Sequence, residues 1–296
     1  MLEEFKNAFN RPNNGHVQLI LINVAVFLVL VVLYVFSTVT GMKDSFRILH
    51  DQFSIPPVFF DFITRPWTII TYAFAHSFDI WHIVFNMLAL YWFGKLFIEY
   101  LGSAKLVSLY ILGALAAGTV YLLVFNTIPF FVERTSTFDG MVGASGAVYA
   151  IMVGAATLLP DYTFFLLFLG PVRIKYIAAF YIVVSFLGSV GGNAGGNIAH
   201  LGGALMGYIY IKQLQVGVNW GGWITSVLDW FGTLFKPGSK VKVTYRKESG
   251  SKTSAPKFNK ATQEEIDAIL DKISDKGYES LSKDEKEKLF NASKRN

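Results

Sequence analysis

The chain has 296 residues, of which 53% are hydrophobic and 16% aromatic, while only 16% are charged, well below the roughly 25% of a soluble domain. It contains no cysteine, which excludes disulfides and thiolate chemistry. The excess of +5 lies at the end of the chain: residues 1–211 carry 10 basic and 10 acidic side chains, and residues 212–296 carry 16 and 11.

Residues 1–16 read as a short N-terminal segment. The stretch VQLILINVAVFLVLVVLYVFS, residues 17–37, holds no charge over 21 positions and is long enough to span a bilayer. It is too long for a signal peptide and lacks a small-residue cleavage site, so a retained transmembrane helix is expected. Residues 38–79 form a long connection whose Phe59, Phe60, Phe62 and Trp67 favour a membrane interface. Five more apolar segments follow, at 80–98, 105–125, 145–159, 174–189 and 195–214. The pattern predicts an all-α polytopic bundle of six spans over residues 17–214. Glycine and other small residues interrupt the last four segments, as in helices that pack closely in lipid. Gly170-Pro171 breaks FFLLFLGPVRIKY, 164–176, so the part before the proline reads as a loop or extended piece.

The segment beginning at Ser145 is short. Its 15 residues reach about 22 Å as a helix, against a hydrocarbon core of roughly 30 Å. One end must therefore stop inside the membrane, and Ser145 marks it. Six spans place both termini on one side, with Lys6, Arg11, Lys95, Lys105, Arg173, Lys175, Lys212 and the basic tail. Lys43, Arg47, Arg65 and Arg134 fall on the other. The positive-inside rule puts both termini in the cytoplasm, and Ser145 then sits below the outer surface.

After the spans, residues 215–235 place Trp223, Val227, Trp230, Phe231 and Leu234 at helical spacing, the pattern of an amphipathic helix lying on the membrane. Residues 236–262 read as a flexible linker. Within 236–260 there are 8 basic residues and one acid, Glu248, which favours contact with anionic lipid. Stacking aromatics are sparse there, which argues against nucleic acid. Residues 263–296 read as a cytoplasmic helical hairpin, with an apolar stripe of Ile266, Ile269, Leu270 and Ile273, a stop at Gly277, and a Ser282–Glu285 capping box.

Polar side chains inside spans are costly and are functional suspects by default. His82 and Asn86, spaced i and i+4, share one helix face. Ser145 opens the fourth segment, and His200 lies in the sixth. The small residues Gly146, Ala150 and Gly154 form one stripe; Gly196, Gly203 and Gly207 flank His200 on another. Two such stripes packed backbone to backbone bring His200 within reach of Ser145, where a neutral imidazole activates the hydroxyl. The backbone N–H of Ser145 near a helix N-terminus suits a developing oxyanion, with His82 and Asn86 as side-chain donors. No carboxylate lies in segments four to six, so a Ser–His dyad is expected, with Tyr149 packed on the imidazole. The five histidines show no metal-type spacing, and no metal or cofactor is expected. His16, His50 and His76 read as loop or interfacial residues.

Gly143-Ala144-Ser145-Gly146, with Ala199-His200 followed by Gly203 and Gly207, and His82-x-x-x-Asn86 upstream, resembles the rhomboid family of intramembrane serine proteases, in order and in layout over about residues 17–214. The resemblance implies a Ser145–His200 dyad, an oxyanion site using His82 and Asn86, and cleavage of transmembrane protein substrates near helix-breaking residues. Asn197 and Tyr149 match positions the family uses near its site, and Glu99 resembles an acid that ties down the cytoplasmic side of segment two. The family's usual Trp-Arg in the first loop is absent: the sequence reads Arg65-Pro66-Trp67-Thr68, with Arg65 as the substitute. The terminal hairpin resembles tails on some bacterial rhomboids, which implies a bacterial cytoplasmic membrane.

Other functions fit less well. A catalytically silent relative that binds or delivers membrane clients does not need both Ser145 and His200. A transporter predicts two related halves, and no internal repeat is visible. A soluble α/β-hydrolase needs glycine at Ala147 for its G-x-S-x-G elbow. A protease with a sunken serine needs water and a route in, and segment five with the glycine-rich loop 188–196 is placed to gate it. The sequence leaves the oligomeric state open.

Overall fold

The computed structural model describes residues 13–138, 140–167, 169–235 and 263–293. The basic linker at 236–262 and most of the N-terminal segment lie outside the described residues. The chain divides into two compact units, Met1–Pro237 and Gly238–Asn296.

In the first unit, α1 (Gly15–Val39) is followed by a connection that holds short helices at Lys43–His50, Phe59–Thr64 and Thr68–Thr71. α2 runs Ile80–Thr127 but turns at Gly102, whose φ of 79° and ψ of 166° are not helical. Glycine meets that positive φ without the penalty a Cβ would bring. Its arms, residues 80–101 and 103–127, cover the second and third apolar segments. α3 (Ser145–Leu158), α4 (Ile174–Gly188) and α5 (Ala194–Gln215) match the last three. Between α3 and α4 the chain forms an antiparallel hairpin, β1 (Thr163–Leu166) and β2 (Gly170–Arg173), in register Thr163 with Arg173 and Leu166 with Gly170. The extended piece expected before Pro171 is β1.

Hydrogen bonds define two ends of this unit. At one end Gly15 N–H donates to Ser103 Oγ (2.9 Å), and Ser108 Oγ donates to the Gly221 carbonyl (3.1 Å). The start of α1, the turn of α2 and the approach to α6 (Gly222–Phe235) therefore meet there. At the other end Ile55 and Met141 exchange backbone hydrogen bonds, and Asn126 Oδ1 accepts from Phe59 N–H at 2.9 Å. Arg65 also works at this end, donating to the Asp51 carbonyl at 2.9 Å with the Asp51 carboxylate 3.6 Å away.

α3 is the centre of the unit. Its residues from Gly146 to Ala156 are buried except for Tyr149, and it packs on α5 and α2. Gly203 sits so close to α3 that a methyl there would fall onto the Gly146 carbonyl, and one at Gly207 onto the Ala150 carbonyl. Gly154 faces Leu109, Ile211 and Phe97. Gly196 departs from the expected stripe, because it lies against Asn193 at the start of its own helix. Two of the described helices, α1 and α2, are both long and apolar enough to cross a membrane by length and composition. α3 and α4 are apolar but shorter, with 14 and 15 residues. α5 has 22 residues, and glycines, Asn197 and His200 dilute its apolar character.

α6 turns Ile224 inward and leaves Trp223, Val227, Trp230 and Phe231 exposed; the Leu234 side chain lies outside the described set. In the second unit, α7 (Gln263–Lys276) ends at Gly277 with φ 76°, and α8 (Lys283–Ser293) follows. Ser282 N–H donates to Glu285 Oε2 at 2.7 Å and Glu285 N–H to Ser282 Oγ at 3.3 Å, the reciprocal capping box. Ile269 and Leu281 are buried and Ile266 and Ile273 partly so. Leu270 is exposed, a correction to the predicted stripe: it is one position beyond Ile269 and turns about 100° off its face.

Candidate active site

Ser145 is the first residue of α3, so its backbone N–H has no acceptor within the helix. The serine side chain faces α5, where His200 Nε2 lies 2.8 Å from Ser145 Oγ. The two residues are 55 positions apart in the chain. The close approach of Gly203 to Gly146 brings them together, because each glycine lies within a turn of one partner. The imidazole is held on two further sides. Tyr149 stacks on its face, with ring centroids 4.1 Å apart and planes 11° from parallel. Ser185, on α4, places its Oγ 3.1 Å from His200 Nδ1 and donates to Tyr149 Oη at 2.9 Å.

His82, in the first turn of α2, also approaches the serine. A Cβ placed on Gly143 would lie 3.2 Å from His82 Nε2 and 3.5 Å from Ser145 Oγ, so one point in space borders both. Gly143 has φ of 138° and its N–H donates to the Tyr72 carbonyl at 3.0 Å, which fixes the turn into α3. The other ring nitrogen of His82, Nδ1, is 2.6 Å from Ser77 Oγ. Asn86, one turn further along α2, is buried and donates to the His82 carbonyl at 2.8 Å; that bond uses one of its two amide hydrogens.

Asn197, one turn before His200 on α5, is held by backbone carbonyls. Its amide donates to the Gly188 carbonyl (3.0 Å) and the Asn193 carbonyl (2.9 Å), stapling the end of α4 to the start of α5. Glu99 is exposed. His76 lies in the loop before α2, as expected, and is fully buried there, edge to face with His82 at 5.3 Å. His16 is buried too, beside Tyr91. Ser185 and Ser77 were not singled out in the sequence. A serine inside an apolar helix is common, and nothing in its spacing links α4 to a histidine on α5. Among the described residues, no group of acids and histidines is arranged to hold a metal ion.

These features define a helical membrane protein with a serine and a histidine paired inside its bundle. A family model described as the rhomboid domain matches residues 64–215, and the chain belongs to the rhomboid family. It is 36% identical over 185 residues to "RHOMBOID-like protein 12, mitochondrial" of Arabidopsis thaliana, covering 60% of this chain and 52% of that one. It is 34% identical over 159 residues to "Rhomboid protein 1, mitochondrial" of Saccharomyces cerevisiae, covering 51% and 42%. "Presenilin-associated rhomboid-like protein A, mitochondrial" of Danio rerio is 28% identical over 155 residues, covering 50% and 37%. The chain thus spans about half the length of these relatives or less. All three carry a mitochondrial description, which does not match the bacterial membrane expected from the tail. Residues 256–295 match a family of unknown function.

Proposed function

We propose that this chain is an intramembrane serine endopeptidase that cleaves transmembrane proteins through a Ser145–His200 dyad. The observation that carries the reading is the 2.8 Å approach of His200 Nε2 to Ser145 Oγ. It is supported by α3: 14 residues make a helix of about 21 Å, too short for a core of roughly 30 Å, with the serine at the end that stops inside the membrane. In this reading α1, the two arms of α2, α3, α4 and α5 make six crossings. Both termini lie on the cytoplasmic side with Lys95, Lys105, Arg173, Lys175 and Lys212, α6 lies along the membrane surface, and the basic stretch after it meets anionic lipid. A bacterial cytoplasmic membrane remains the reading of the tail.

His200, neutral, takes the proton of Ser145 as Oγ attacks the scissile carbonyl carbon. The carbonyl oxygen becomes an oxyanion facing the Ser145 N–H and the Nε2 edge of His82, with Asn86 supplying its remaining amide hydrogen. His200 then gives its proton to the leaving amine, and the C–N bond breaks to leave an acyl-enzyme. Water, deprotonated by the same imidazole, attacks the ester carbonyl; the C–Oγ bond breaks, the imidazolium returns its proton to Ser145 Oγ, and the new C-terminus leaves as a carboxylic acid. Tyr149 supplies an aromatic face to the imidazolium formed at each step.

The test is cleavage of a single-span protein by the purified chain in detergent, with Ser145→Ala and His200→Ala beside it. Cleavage by wild type and by neither variant is expected; equal cleavage by all three would exclude the dyad. Activity should also fall as pH drops and His200 takes up a proton.

A further inference from the structure

α4 turns Phe180, Tyr181, Val183, Val184, Phe186 and Leu187 outward, yet Ser185 among them is fully buried. A buried hydroxyl in an apolar helix needs partners. Here they are the ring nitrogen of His200 that does not face Ser145, and the hydroxyl of Tyr149.

We propose that Ser185 is a positioning residue that fixes the tautomer of His200, in the place where other serine hydrolases use a carboxylate. The inference rests on the dyad reading above. A base at Nε2 requires the imidazole proton at Nδ1, because a neutral ring carries one N–H and one bare nitrogen. Ser185 has one hydroxyl proton, and in the sense that leaves Nε2 bare it goes to Tyr149 Oη, 2.9 Å away. Towards His200 it therefore presents only lone pairs, which accept from Nδ1–H. The chain of bonds runs in one sense: Ser145 O–H to Nε2, Nδ1–H to Ser185 Oγ, Ser185 O–H to Tyr149 Oη. The opposite sense, from Tyr149 through Ser185 to Nδ1, would leave the proton on Nε2 and make His200 useless as a base. Tyr149 thus has two tasks, stacking on the ring and taking the Ser185 proton. Ser185 brings no charge to the imidazolium, so its removal should cost less than loss of a triad carboxylate, about 10⁴-fold.

The test uses the full chain in detergent, labelled with ¹⁵N-histidine, with the His200 signals assigned by their loss in His200→Gln. Wild type should show a protonated Nδ1 and a bare Nε2 at neutral pH. Ser185→Ala should show both tautomers and lose about tenfold in kcat, the worth of one neutral hydrogen bond, with KM unchanged. Ser185→Thr, which keeps the hydroxyl, should retain the wild-type nitrogen shifts. Tyr149→Phe keeps the stacked ring but frees the Ser185 proton, and should raise the Nε2–H form; a role in packing alone would leave the shifts of that variant unchanged. The proposal falls if wild-type His200 carries its proton on Nε2, or if Ser185→Ala and Tyr149→Phe both keep wild-type shifts. Should wild type cleave nothing, the dyad reading fails, while the nitrogen spectra still decide what Ser185 does.

Discussion

Gly203→Ala tests whether backbone contact between α3 and α5 builds the site. A methyl at this position would coincide with the Gly146 carbonyl. Carbon atoms in ordinary contact sit at about 3.5–4 Å, so α5 must recede by about 1 Å or more. Moved by that much, the Ser145–His200 pair would open from 2.8 Å to about 3.8 Å, beyond hydrogen-bonding range. A misplacement of about 1 Å costs on the order of 10²-fold in rate, and overpacking a buried contact costs about 1–3 kcal/mol of stability. Gly207→Ala is the control: it presses on the Ala150 carbonyl, one turn further from the serine, and should lower the melting temperature similarly with a smaller loss of rate. Both quantities are read on purified protein in detergent, from single-span substrate turnover and thermal unfolding. Wild-type turnover and melting temperature in Gly203→Ala would refute the reasoning.

Three further outcomes follow from individual contacts. Gly143→Ala places a Cβ at a φ of 138° and 3.2 Å from His82 Nε2; strain of roughly 1–3 kcal/mol should lower the melting temperature, and displacement of His82 should lower kcat. Arg65→Ala removes the donor to the Asp51 carbonyl, with a loss of about 1 kcal/mol seen in unfolding and with kcat nearly unchanged, since Arg65 touches the first loop and not the dyad. In the terminal hairpin, the Lys272 ammonium, 2.8 Å away, together with the Ser282 N–H and hydroxyl, holds the Glu285 carboxyl down at about 2. A depressed carboxyl contributes stability that is complete above its unfolded value near 4.5 and is lost as pH falls from there towards about 2. Carbon-detected titration of Glu285 in the full chain should show this low midpoint, and Lys272→Ala should move it back towards the ordinary range.

The parts of the site legible in the sequence were those where local chemistry contradicts its surroundings. Ser145 stands at the head of an apolar stretch too short to cross a bilayer, and His200 stands among glycines inside another. Both signals are one-dimensional. The Gly203 and Gly207 contacts follow from the same small-residue pattern. Gly196, with the same spacing, instead meets Asn193 in the turn that begins α5, a choice made by backbone path. Ser185 and the burial of His76 depend on which helix lies next to which, and no periodicity within α4 or the first loop encodes that. The short helices between α1 and α2 were hidden for a related reason: Arg65, Asn126 and the Ile55–Met141 pairing hold them through partners distant in sequence.

The most direct test of the Ser145–His200 pair needs no substrate. The full chain in detergent is treated with a fluorophosphonate, and the modified residue is located by mass spectrometry. An activated serine should give one adduct, on Ser145, and His200→Ala should abolish it while the protein stays folded. Equal labelling of Ser145 in wild type and His200→Ala would show that the imidazole does not activate the hydroxyl, and would contradict the account.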